Sequence, residues 1–259
     1  AGSYTLSDTL KINDNLKLVG AGKDQTIINI QKAPLGIQVT ADVDVYFEGI
    51  GFHYNATEPG DIMQFSAGRF NIIDCDFQKA IYGESSDEAN PYGYGAALFL
   101  TGQSRGTVSE SSFSNNGLAA IELLQSADLE LLDSLIENNI VGLYANGKNQ
   151  LRLVGNEFKN NSSNALQLRG TATATVQDTL FENNGALNAD NNLAADAIRI
   201  SDEAKVEFET SMFKHSPRYA LSLSNQATVT SKGNTFENNG GYFEVNDLTY
   251  GTILLENDS

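Results

Sequence analysis

Apolar and polar positions repeat along this chain with a period near 23 residues, and inside each period they alternate one for one. Taking the apolar residue before each Asn-rich phrase as an origin gives Phe52, Phe77, Phe113, Ile136, Phe158, Phe181, Phe213 and Phe236. The steps are 25, 36, 23, 22, 23, 32 and 23 residues, and the two long ones become 23 once inserts of 13 and 9 residues are removed. Eight residues past the origin stand Leu98, Ile121, Leu166, Ile198 and Leu221, with Leu143 one early; two further on come Leu100, Leu123, Ala145, Leu168, Ile200 and Leu223. Counting back seven and five reaches Val45 and Phe47, Phe70 and Ile72, Leu129 and Leu131, Leu151 and Leu153, Val206 and Phe208. Pairs at spacing two mark short strands with one face inside, and helical spacing fits none of them.

A unit this short, with strands and turns but no helix, buries its apolar face only by stacking on copies of itself. Parallel strands stack at about 4.8 Å, so nine or ten coils make a rod on the order of 45 Å long. The expected fold is therefore all-β, a solenoid spanning residues 1–259 as one domain.

Units such as NTFENNG (234–240) and NEFKNNSSNALQLRG (156–170) resemble the parallel-β-helix repeat of the pectin-lyase-like superfamily. The resemblance covers nearly the whole chain and implies a right-handed parallel β-helix, consistent with the handedness of parallel crossovers. The opening, GSYTLSDTLKINDNLKLVGAGKDQTIINI (2–30), is similar to the first rungs of such proteins but begins in mid-motif, and GTILLENDS ends in mid-coil. Open solenoid ends expose strand edges, so a longer parent protein, a capping partner or end-to-end pairing of chains is expected.

Stacking turns each column into a ladder of like positions. Asn115, Asn138, Asn160, Asn183 and Asn238 lie two past the origin, and Asn116, Asn139, Asn161, Asn184 and Asn239 three past it. Asn tolerates the left-handed conformation of a tight bend, and stacked amides hydrogen-bond from coil to coil. The column between origin and Asn reads Glu137, Lys159, Glu182, Lys214, Glu237, a register-setting alternation of charge. The ladder breaks at KHSPRY (214–219), where His215 and Arg218 would make a base beside an electrophile if the break were functional. His53 lies six coils from His215, too far for a shared metal.

Composition changes the picture little. A formal charge of −17, scattered along the chain, argues against nucleic acid, and no apolar run is long enough for a membrane helix. Cys75, the one cysteine, reads as a small buried hydrophobe. An exported or cell-surface location is expected.

Function is expected where the count fails, because long loops on a regular scaffold carry binding and catalysis. Inserts 82–94 and 186–194, and a third counted at 241–250, share one turn phase and so form one wall along the rod. Beside that wall the outward column reads Phe99, Glu122, Tyr144, Gln167, Arg199, Ser222 and Leu254. Small residues flank it at Ala97, Ala120, Gly142, Ala165, Ala197 and Ala220, leaving a shallow trough, and Thr101, Asn146 and Arg169 adjoin it. Aromatic rings take the apolar faces of sugars, and amides and charges bind their hydroxyls. That makes Phe99, Tyr144, Asn146 and Gln167, with Tyr92, Tyr94 and Tyr242 of the inserts, candidate glycan contacts.

The superfamily resemblance implies that such a trough holds polysaccharide. Two functions follow: a non-catalytic module that binds glycan or a protein partner, and a lyase or epimerase acting on uronate polymers. For the second, Tyr144, Arg169 and Arg199 would serve as base and cations, with Glu122 orienting. The trough offers no adjacent Asp pair, which disfavours hydrolysis by paired carboxylates. Calcium is the one cofactor in view, at the column Asp74, Glu110, Asp133, Asp178 or at ESSDE (84–88). Gly155 interrupts that column, so it reads first as a solvated acidic edge.

Overall fold

The computed structural model describes residues 1–84, 93–186, 195–246 and 252–259. Its strands form three parallel sheets of ten strands each, and every coil contributes one strand to each sheet in turn. The chain is an all-β, right-handed β-helix of about ten turns.

The first sheet carries the origin column. Phe52, Phe77, Phe113, Ile136, Phe158, Phe181, Phe213 and Phe236 are in register from strand to strand. Successive rings stack face to face at the coil spacing, with centroids 4.8 Å apart for Phe77 and Phe113 and 4.7 Å for Phe213 and Phe236. Each fully buried Phe contributes about 1.5–3 kcal/mol by leaving water, so this stack is the spine of the core. The second sheet brings Leu98, Ile121, Leu143, Leu166, Ile198 and Leu221 into one column. The third aligns Val45, Phe70, Gly106, Leu129, Leu151, Ala174 and Val206.

Three corners turn the chain, and left-handed residues recur at each. Between the first and second sheets Asn115, Asn138, Asn160, Asn183 and Asn238 have φ of 52–57° and His215 58°. Between the third and first sheets stand Asp74, Glu110, Asp133, Gly155, Asp178, Thr210 and Gly233, with φ from 45° to 68°. Gln125, Gly170, Asp202 and Asn225 do the same at the remaining corner.

The two Asn columns divide the labour. The first bends, while the second, buried, forms the ladder: Asn116 Nδ2 donates to Asn139 Oδ1 (2.9 Å), Asn139 to Asn161 (3.1 Å) and Asn161 to Asn184 (2.9 Å). A second internal ladder, unforeseen in the sequence, runs through Ser111, Ser134 and Asn156, each accepting the backbone N–H of the residue a coil earlier. Among the alternating charges, Lys214 lies 3.1 Å from Glu182, while Lys159 closes on Glu157 of its own strand.

Two expectations fail here. Residues 241–246 are not an insert but the strand Gly241–Asn246, paired with Tyr219–Ser224. Leu254 consequently belongs to the third sheet, opposite Thr230, and Glu244 takes its place beside Ser222. The repeat count slipped because GYFEVN carries the pattern of a strand directly after the Asn phrase, with no insert between. The small-residue column fails as well: Ala97, Ala120, Ala165, Ala197 and Ala220 lie in the main core. A Cβ built on Gly142 would meet the Ala165 carbonyl oxygen at 2.4 Å and a Phe158 ring carbon at 2.8 Å. These residues are small because the corner packs onto the Phe stack, and they floor no trough.

Candidate functional site

Both true inserts leave the rod at the same corner, between the first and second sheets, through a single antiparallel bridge: Gly83 with Tyr94, and Ala186 with Ala195. Their inner stretches, Tyr92 included, lie outside the described residues. Asp61 fastens the first stem, its Oδ1 accepting the N–H groups of Gly95 and Ala96 at 2.8 Å each. Asp196 plays a related part at the second, accepting the Tyr219 N–H at 3.3 Å. Both acids stand two residues before an inward apolar residue of the second sheet, Met63 and Ile198, a signal the sequence carried but the repeat count passed over.

On the outward face of the second sheet, Ala96, Phe99, Ala119, Leu124 and Tyr144 make a small second core, with Val141 against it. Phe99 is only 1% exposed, so it is no sugar platform. Beyond this apolar patch, Glu122, Tyr144, Gln167 and Arg169 converge with Leu118, Ala119 and Val141 on a pocket of about 240 Å³. Register dictates the convergence: Glu122 pairs with Tyr144, Tyr144 with Gln167, and Asn146 with Arg169 on successive strands.

Glu122 is 1% exposed, and neither carboxyl oxygen has a hydrogen-bond partner among the described residues. Burial first, then the charge of Asp61, pushes its carboxyl up to about 8. Asp61 itself is raised to about 7 by burial, against the pull of the Ala96 and Gly95 N–H groups. At neutral pH Glu122 is therefore a protonated acid that has a hydrogen to donate. Arg169 supplies the pocket's cation and lies 3.5 Å from Asp202.

The other expected contacts lie apart from this pocket. Arg199 is exposed, in register with Gln167 but outside the pocket lining. Tyr94 lies in the bridge of the first stem. Tyr242, 55% exposed, packs its ring 5.8 Å from that of Phe236 on the last coil of this sheet, four coils beyond Tyr144. His215 and Arg218 form no pair. His215 lies 3.6 Å from Glu182, whereas Arg218 bridges Asp196 (3.2 Å) and Glu244 (3.2 Å). His53 meets Asp76 at 3.1 Å.

The acidic column proposed for calcium is the left-handed corner described above, with Asp74 3.3 Å from Lys23 and Asp178 accepting the Thr210 hydroxyl at 2.6 Å. Among the described residues, no three of His, Cys, Asp and Glu gather in a metal-binding cluster. Residues 85–88 of the other candidate lie outside the described residues.

With the fold and pocket defined, residues 62–236 match the family described as the right handed beta helix region. The chain belongs to this family. No curated protein matches this β-helix in sequence. Among solved structures it resembles the Dettilon tailspike protein at 11% identity and TM-score 0.63, covering 98% of this chain and 61% of the other. The catalytic unit of the GH87 α-1,3-glucanase of Streptomyces thermodiastaticus is similar at 14% identity and TM-score 0.63, covering 100% and 62%. The periplasmic alginate epimerase AlgG is similar at 8% identity and TM-score 0.63, covering 99% and 78%. At such identities the likeness establishes the fold, and the β-helix spans about three fifths of the first two chains. No helix among the described residues is long and apolar enough to cross a membrane.

Proposed function

We propose that this β-helix is an exported or cell-surface module that binds glycan on the outward face of its second sheet, with one sugar seated in the Glu122–Tyr144–Gln167–Arg169 pocket. The observation that carries this reading is Glu122: a buried, protonated carboxyl without a partner among the described residues, lining a pocket that also holds an amide and a guanidinium. An orphaned buried polar group costs roughly 1–3 kcal/mol, and a sugar hydroxyl would recover it. The volume, about 240 Å³, lies below the range of drug-sized sites and suits a single ring. The named neighbours, a tailspike, a glucanase and an alginate epimerase, make a carbohydrate-related role and an exported location reasonable.

A second reading is favoured by the meeting of Tyr144, Glu122 and Arg169 in one pocket: a lyase or epimerase acting on a uronate polymer. Arg169 would neutralise the uronate carboxylate, Glu122 would donate to it, and Tyr144 would move the proton at C5.

One panel tests both. Alginate, pectate, chondroitin and neutral glycans are titrated against the protein with and without calcium, while ultraviolet absorbance of unsaturated uronates and product NMR are followed. Binding that Gln167→Ala and Arg169→Ala weaken about tenfold, without turnover, is expected from the first reading. New absorbance or inverted C5 signals replace it with the second, and no binding by any glycan rejects both.

A further inference from the structure

Glu122, Tyr144 and Gln167 share one register position on three successive strands of the second sheet, Ala119–Gln125, Val141–Gly147 and Leu166–Gly170. Glu122 and Gln167 therefore flank Tyr144, one coil to either side, with their backbones about 9.6 Å apart. At neutral pH the buried Glu122 carboxyl is uncharged and has a hydrogen to donate, and neither of its oxygens has a partner among the described residues. Gln167, half-buried, carries a carboxamide whose oxygen accepts. A donor and an acceptor thus line one pocket from opposite sides of Tyr144.

A hydroxyl answers only part of this arrangement. A trans secondary amide answers both sides at once, because its C=O and N–H point to opposite edges of one plane. With a hydrogen bond at each edge it spans about 8 Å between its partners, which suits two side chains rooted about 9.6 Å apart. Leu118, Ala119 and Val141 complete the lining with apolar surface. A methyl on the amide carbon would leave water there, a gain of about fourfold in affinity. Methyl, carbonyl and N–H together make an acetamido group. Arg169, two residues beyond Gln167 on the same face of the strand, supplies donors for the hydroxyls that a sugar, unlike a peptide backbone, carries beside its amide. Charge agrees, since a formal charge of −17 repels uronates and is indifferent to a neutral amido sugar.

We propose that this pocket recognises the acetamido group of an N-acetylated amino sugar, with Glu122 donating to its carbonyl and Gln167 accepting from its N–H. The proposal rests on the glycan reading above and names the sugar class of that same site.

The test is a saturation-transfer NMR titration of the whole chain with N-acetylglucosamine, N-acetylgalactosamine, glucosamine, glucose, galactose and acetyl-glycinamide. The acetyl methyl of an N-acetyl sugar should take the strongest saturation, and that sugar should bind about tenfold tighter than its hydroxyl counterpart. Its affinity should fall about tenfold between about pH 7 and about pH 9, as Glu122, titrating near 8, gives up the hydrogen it donates. Glu122→Gln should flatten that profile, because an amide hydrogen does not titrate. Gln167→Leu should weaken the N-acetyl sugar about tenfold. Asp61, Tyr144 and Arg169, the other charged or titratable groups about Glu122 among the described residues, remain in both variants.

Glucose or galactose bound as tightly overturns the acetamido assignment and leaves the glycan reading standing. Glucosamine bound as tightly places an ammonium against Glu122, and acetyl-glycinamide bound as tightly makes the occupant a peptide; either result overturns the proposal. So does a pH profile that Glu122→Gln leaves sloping, or an unaffected Gln167→Leu. If no N-acetyl sugar binds, the proposal falls alone where alginate, pectate, chondroitin or a neutral glycan still binds, and together with the glycan reading where none does.

Discussion

Glu122 and Tyr144 are in register on adjacent strands of the second sheet and line the same pocket, one of them a carboxyl held neutral by burial. Stability should therefore depend on pH in an unusual direction. The folded-state carboxyl titrates near 8 and the unfolded one near 4.5, so between these values the folded chain holds a proton that the unfolded chain has released. Stability is full below the lower value, and falls by up to about 1.4 kcal/mol per pH unit until the higher one is passed. Asp61, raised from 3.8 to about 7, adds to the fall with the same sign. Glu122→Gln keeps the neutral shape and removes one of the two contributions. Urea unfolding at about pH 4 and about pH 8 should show the variant matching the parent at the lower pH and exceeding it at the higher. Parallel profiles would mean that Glu122 is solvated and ionised.

The division of labour in the Asn phrase is separable by mutation. The Asn161 side chain makes four hydrogen bonds: its amide donates to Asn184 (2.9 Å) and to the Ile136 carbonyl (3.1 Å), and its Oδ1 accepts from the Asn139 backbone and side chain (3.1 Å each). Asn161→Ala strands buried partners and should cost about 3 kcal/mol. Asn160, at φ 55°, makes the bend. Asn160→Ala should cost about 1–2 kcal/mol from the left-handed backbone, and Asn160→Gly much less. Equal losses at 160 and 161 in denaturant midpoints would contradict this assignment.

The single break in the ladder offers a gain. Ser216 replaces the stacking Asn; its backbone N–H still donates to Asn239 Oδ1 (3.0 Å), but its buried hydroxyl has no partner among the described residues. Ser216→Asn would reconnect the two halves of the ladder, its oxygen accepting from the Asn184 amide and its own amide donating to Asn239 Oδ1, as Asn161 donates to Asn184. A stabilisation of about 1 kcal/mol is expected, read as a higher thermal midpoint. A lower midpoint would show that the Pro217 turn leaves no room for the amide.

Period and phase were legible in the sequence because every coil repeats the same burial problem. Phe52 to Phe236 and Leu98 to Leu221 fall where counting put them. The site was legible only in part. Glu122, Tyr144, Gln167 and Arg169 were found together because register alone places them. Phe99 was misjudged because nothing in an alternating pattern says that a second small core, held by Asp61 and the insert stem, covers the outward side. Asp61, Asp196 and Glu244 were missed for a related reason: their partners are backbone N–H groups and Arg218 on other coils, contacts that a one-dimensional count does not contain. The acidic column misled because Asp and Glu at a left-handed corner look the same in sequence as Asp and Glu around a cation.

The small-residue column gives the sharpest test of which way a strand faces. Were Ala120 on the floor of an open trough, Ala120→Ser would be harmless, since its hydroxyl would meet water. In the structure Ala120 is 0% exposed within the main core, so the hydroxyl would be buried without a partner and should cost about 1–3 kcal/mol. Gly142, in the same column, should tolerate even less. Its added Cβ would meet the Ala165 carbonyl oxygen at 2.4 Å, and backbone must move to admit it, so Gly142→Ala should cost about 1–3 kcal/mol, although Ala is the residue on both neighbouring coils. The coil that contains Gly142 is also the one whose step to the next origin is 22 residues rather than 23, and the missing residue falls at this corner, before Leu143. Urea midpoints of the two variants decide the matter: two near-neutral substitutions would put the column outside, and two losses place it against the Phe158 ring.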